Sequence, residues 1–141
     1  MVSLKVHNIL DYIIALVLVS TPFVFGFSHI LEARNVFLVL GSGLAVYSLF
    51  TKYYYSIAKI IPIGVHMSFD VAAGLMAIIA PFTFDYRSQI TDGQFWVHVI
   101  LGASAMGLVA LTRTRTEDAK TPEEKFETEG DHHRGPAHPS R

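Results

Sequence analysis

Four long apolar runs, separated by short polar stretches, occupy the first 112 residues. They fall at about residues 9–27, 35–51, 62–84 and 94–112. A 19-residue helix covers about 28 Å, close to the hydrocarbon thickness of a bilayer. A soluble globule would spread its charges along the chain, whereas here they sit between the apolar blocks, so the pattern predicts four transmembrane helices. Asn8 is placed as the N-cap of the first helix, and Pro62 in the first turn of the third. The connector after the second run holds Tyr53, Tyr54 and Tyr55 between Lys52 and Lys59, a grouping suited to the headgroup region. From residue 114 onward apolar side chains nearly vanish, and residues 114–141 are predicted to be a disordered tail.

The runs are related in pairs. Residues 6–27, VHNILDYIIALVLVSTPFVFGF, and 65–86, VHMSFDVAAGLMAIIAPFTFDY, match at an offset of 59. His7 pairs with His66, Asp11 with Asp70, Pro22 with Pro81, Phe23 with Phe82, Phe25 with Phe84 and Phe27 with Tyr86. The second and fourth runs match at an offset of 61, aligning Leu40-Gly41-Ser42-Gly43 with Leu101-Gly102-Ala103-Ser104 and Thr51 with Thr112. The repeat unit is therefore a helical hairpin used twice: residues 1–59 with the connector, then 60–113. Gly41, Gly43, Gly102 and Ser104 are the expected helix-packing positions, since small residues let membrane helices approach closely. Pro22 and Pro81 are expected to kink the helices that contain them. Each unit crosses twice, so the copies enter from the same side and are parallel repeats about an axis along the membrane normal. Lys5, Lys52, Lys59, Arg113 and Arg115 flank one side, and Arg34 and Arg87 the other. The positive-inside rule then puts both termini in the cytoplasm.

Charge sharpens this picture. Residues 1–112 contain five Lys/Arg and five Asp/Glu, all but Asp11 and Asp70 outside the apolar runs or at their ends. The absence of Cys excludes disulfides and thiolate metal sites. A net charge of −1 with no basic stripe argues against a nucleic-acid partner. Lys5 before an apolar run resembles the start of a signal peptide. The run is longer than a signal core, no small-x-small site follows, and its internal twin cannot be a signal, so it is read as a retained span.

These features resemble the SPW-repeat family of small bacterial membrane proteins. The likeness covers about residues 6–113 and is strongest in IIPIGVHMSFDVAAGL and HVILGASAMGLVALTRT. In place of the Ser-Pro-Trp for which the family is named, this chain has Thr21-Pro22-Phe23 and Ala80-Pro81-Phe82, keeping the proline and an aromatic ring. The resemblance implies a four-helix integral protein of the bacterial cytoplasmic membrane and implies no established activity.

His7 and Asp11 are one turn apart, as are His66 and Asp70, so each pair shares a helix face. Repeat symmetry puts the pairs at similar depth. The sequence leaves open whether each pair braces its own hairpin or the two meet. An ionisable group within a span is expensive and faces the bundle interior or a partner. His98 lies near the opposite membrane face and is expected to be hydrogen-bonded there. His132, His133 and His138 are loose metal-binding possibilities in the tail. No nucleophile–base–orienter set appears, and no cofactor, metal or catalytic residue is assigned. The expected function is that of a non-enzymatic structural or accessory membrane component, alone in the bilayer, as a homo-oligomer, or within a larger complex. Two other classes remain open: a small transport or proton-coupled module using the His–Asp pairs, and a haem- or metal-binding electron carrier.

Overall fold

The computed structural model describes residues 2–52 and 55–112. The tail reading, and with it Arg113, Arg115 and the three tail histidines, lies outside the described residues. Within them the chain is all-α: α1 (Leu4–Val24), α2 (Leu31–Phe50), α3 (Ile63–Thr83) and α4 (Asp92–Leu111), with one 3-10 turn at Arg87–Gln89. All four helices are long and apolar enough to cross a membrane. α1 packs on α2 and α3 on α4, and α2 joins the two hairpins by packing on α3. Large apolar side chains such as Leu16, Val39, Phe82, Trp96 and Ile100 point outward, as they must where the surrounding solvent is hydrocarbon.

Three helices start earlier than their apolar runs, α1 at Leu4, α2 at Leu31 and α4 at Asp92, and two assigned start positions change. Ser3, not Asn8, caps α1, its hydroxyl accepting from the Val6 amide. Asn8 lies inside the helix and is buried, its Oδ1 accepting from the Tyr55 amide at 3.3 Å. Pro62 is itself the cap residue of α3, one position before the helix. The sequence reading starts the first helix at about residue 9, four residues after Lys5. Residues 5–8 belong to the helix because His7 and Asn8 are covered by the other elements.

The prolines do their work at the ends. Pro22 and Pro81 each lie two residues before the helix terminus, so they fall in the closing turn and not in mid-helix. In both copies the proline carbonyl accepts from an amide five residues on, Phe27 at 2.9 Å and Tyr86 at 3.0 Å. This is the Schellman closure, which needs a left-handed residue between cap and donor. Gly26 occupies that position with φ 73°, and its repeat partner Asp85 adopts φ 53°. Aspartate is one of the few L residues that visits this region readily. The closure turns Phe27 and Tyr86 inward, both fully buried, while Phe23 and Phe82 remain exposed toward the membrane.

The small residues divide. A side chain at Gly41 would run into Ala15 O, at 2.8 Å, and Leu18 of α1. Gly102 lies directly against the Gly74 carbonyl of α3. These two glycines set the hairpin separations. Gly43 has nothing near its would-be side chain, and Ser104 is exposed. Both were expected at the packing face. Two residues further along a helix is a rotation of about 200°, so they sit on the outward side.

Candidate functional site

His7 is the fourth residue of α1 and His66 the fourth of α3, and each carries its aspartate one turn later. Equal placement in parallel helices brings all four side chains to one point on the pseudo-two-fold axis. All four are buried, between 0% and 6% exposed. His7 Nε2 is 3.4 Å from Asp11 Oδ1 and 3.3 Å from Asp70 Oδ2. His66 Nε2 is 3.2 Å from Asp11 Oδ2 and 3.3 Å from Asp70 Oδ2. The two pairs therefore meet, and each imidazole faces its own hairpin's carboxylate and the other's at nearly equal distance. The His7 and His66 rings are edge to face with centroids 5.9 Å apart.

The other ring nitrogen of each histidine is held by a threonine from the opposite hairpin. His7 Nδ1 lies 2.7 Å from Thr112 Oγ1, and His66 Nδ1 lies 2.8 Å from Thr51 Oγ1. Thr51 and Thr112 are the C-cap residues of α2 and α4. Their backbone amides turn to Ser48 and Val109, one residue short of the regular helical partner. Their hydroxyls donate instead to the skipped carbonyls of Tyr47 and Leu108, both at 2.7 Å. A hydroxyl has one proton. With that proton committed to a carbonyl, each threonine oxygen accepts, so each histidine carries hydrogen on Nδ1. Both Nε2 atoms consequently face the carboxylates.

The same helix ends are tied by backbone pairing. Thr51 bridges to Ile61 and Thr112 to Val2, equivalent contacts in the two copies. Around the quartet the symmetry is broken by a tyrosine. Tyr47 OH donates to Asp70 Oδ1 at 2.6 Å, while the aligned residue in α4 is Leu108, which offers Asp11 no phenol. Two buried polar atoms close to these elements, Asn8 Nδ2 and Ser48 Oγ, have no hydrogen-bond partner among the described residues.

His98 lies at the far end of the bundle, separate from the quartet. Its Nδ1–H donates to the Gln94 carbonyl at 2.8 Å, leaving Nε2 to accept from Tyr86 OH at 3.2 Å. Its ring packs against Phe37, with centroids 4.8 Å apart, and Phe27. Phe27 and Phe37 are the repeat partners of Tyr86 and His98. This end is thus an aromatic box, apolar in one copy and hydrogen-bonded in the other.

The family model of the SPW repeat domain matches residues 5–114. The chain belongs to the SPW repeat family. Comparison with curated proteins and with solved structures finds no match. In this SPW-repeat protein the Pro-aromatic segments close α1 and α3 at the aromatic-box end, whereas the ionisable groups gather at the other. The name-giving segment and the polar quartet are therefore separate parts of the repeat. Sequence reading found the four ionisable residues but missed Thr51, Thr112 and Tyr47. The threonines did carry a signal, because they align in the repeat and end helices on the same side as His7 and His66. Tyr47 carried none, having no polar counterpart.

Proposed function

We propose that this protein is a non-enzymatic structural or accessory component of the bacterial cytoplasmic membrane, with both termini cytoplasmic, whose quartet clasps two hairpins into one bundle. The observation carrying this reading is the direction of the polar contacts. His7 to Thr112, His66 to Thr51, His7 to Asp70, His66 to Asp11 and Tyr47 to Asp70 all cross from one hairpin to the other. Membrane helices gain nothing from hydrophobic association with each other, so close packing and interhelical hydrogen bonds must join them. Glycine contacts supply that within each hairpin. The quartet supplies it between them.

A transport role needs water to reach Asp70. The cavity beside Asp70 has a volume of about 30 Å³ and is walled mainly by Leu18, Leu44, Ala73, Ala77 and Leu101. That is room for a few waters at most, and its lining offers few polar groups to hold a chain of them. The excess of basic residues near the quartet end supports the proposed orientation.

The test is purification of affinity-tagged protein from native membrane after mild cross-linking. A stoichiometric partner, or a defined self-assembly, is the expected result. Proton flux in reconstituted liposomes that is abolished by Asp70→Asn would overturn the reading in favour of a transport module.

A further inference from the structure

We propose that the quartet is a binding site for one divalent first-row transition-metal ion, zinc(II) by preference, ligated by His7 Nε2, His66 Nε2 and one carboxylate oxygen each from Asp11 and Asp70. The proposal takes the clasp as given and names what it holds.

Three observations point to it. The first is distance. In a tetrahedral site with bonds of roughly 2.0–2.1 Å, neighbouring ligand atoms lie about 3.3–3.4 Å apart. Asp70 Oδ2 lies 3.3 Å from both Nε2 atoms. Asp11 presents Oδ1 at 3.4 Å to His7 and Oδ2 at 3.2 Å to His66, so a turn of the Asp11 carboxylate would offer one oxygen to both. One ligand atom from each residue falls within 4.8 Å of every other, somewhat wider than a tetrahedral edge. The second is direction. One N–H points along one line, yet each Nε2 faces two carboxylates at nearly equal distance, as a lone pair aimed at a common centre does.

The third is the surrounding shell. A ligating histidine almost always donates its remote N–H to a fixed acceptor, which sets the tautomer and the ring plane. Thr51 and Thr112 are such acceptors, and their hydroxyl protons are already committed to the helix. Tyr47 holds Asp70 Oδ1, leaving Oδ2 toward both imidazoles. Charge agrees as well: two carboxylates and a dication sum to zero, which removes the cost of a net charge in a low-dielectric bundle. The N₂O₂ donor set without thiolate suits zinc and its neighbours, and it disfavours the hard cations that take all-oxygen shells.

The test uses full-length protein in detergent carrying His132→Ala, His133→Ala and His138→Ala, so that tail histidines do not contribute. Metal content is measured by elemental analysis after purification without chelator, then after chelation and reloading with Zn²⁺ or Co²⁺. Equimolar zinc uptake is expected, with the intense visible absorption of four-coordinate Co²⁺ on substitution. Thr51→Val is expected to weaken zinc binding about 10-fold, with Thr51→Ser restoring it. Folded protein that takes up neither ion overturns the metal site while leaving the clasp standing. So does equimolar uptake that survives Asp11→Asn combined with Asp70→Asn. If that double variant does not fold, the cobalt spectrum of the parent decides, because absence of a four-coordinate band overturns the proposal without any quartet variant. Failure of the clasp is separately visible: uptake would persist while quartet substitutions left thermal stability unchanged.

Discussion

Replacing Thr51 by valine keeps the volume and the β-branch and removes one oxygen. That oxygen takes part in two hydrogen bonds, a part-buried one donated to Tyr47 O at 2.7 Å and a buried one accepted from His66 Nδ1 at 2.8 Å. Because the Thr51 amide has turned to Ser48, it cannot replace the hydroxyl at the Tyr47 carbonyl. A buried donor or acceptor stripped of its partner costs about 1–3 kcal/mol. Two such losses, partly relaxed, give a destabilisation of about 2–4 kcal/mol. At roughly 4 °C per kcal/mol for a domain of this size, the melting temperature should fall by roughly 10 °C. Thr112→Val, its twin at Leu108 O and His7 Nδ1, should fall by a similar amount. The assay is thermal unfolding of detergent-solubilised protein followed by far-UV circular dichroism, with Thr51→Ser as the control that keeps the hydroxyl. If Thr51→Val melts with the parent, the threonine does not hold the imidazole. The tautomer argument then fails with it.

Three further expectations test other elements. Gly41→Ala should destabilise by about 1–3 kcal/mol through overpacking against α1, whereas Gly43→Ala should change stability by less than about 0.5 kcal/mol. Equal effects at the two positions would contradict the assignment of the packing face. At the Schellman turns, Gly26→Ala should cost about 1 kcal/mol and Asp85→Gly should stabilise slightly, as measured by paired melts. Burial pushes the Tyr86 hydroxyl above its ordinary value of 10.0. The folded state therefore holds that proton more tightly than the unfolded one, so Tyr86 leaves stability unchanged below about pH 10 and lowers it as pH rises beyond. In an alkaline absorbance titration Tyr86 should ionise only on unfolding, and Tyr86→Phe should remove that late step.

The architecture was readable because a membrane leaves few choices: apolar length gives the spans, and duplication gives the pairing of hairpins. The polar quartet was half readable. His7, Asp11, His66 and Asp70 stood out as charges in apolar company, and their recurrence fixed a common depth. Whether the pairs met depended on rotation of α1 and α3 about their axes, which a uniformly apolar helix does not encode. The same uniformity hid which small residues face inward, so Gly43 and Ser104 looked equivalent to Gly41 and Gly102. Asn8 was misplaced as a cap for a related reason. A polar residue near a helix start reads as exposed until something covers it, and here the covering segment lies at Tyr55, far along the chain.

The pairing of Val2 with Thr112 repeats that of Ile61 with Thr51. Each hairpin thus begins where the other ends, so the chain path closes on itself at the quartet end. Such a circuit is what two separate copies of one hairpin would make about a true two-fold axis, each lending the other a threonine and sharing two carboxylates. Joining the copies in one chain releases them from identity. A dimer could acquire Tyr47 only by acquiring it twice, crowding both carboxylates; the fused chain has a phenol on Asp70 and a leucine opposite. At the other end it has a histidine facing a phenylalanine. Fusion makes the centre addressable one side at a time.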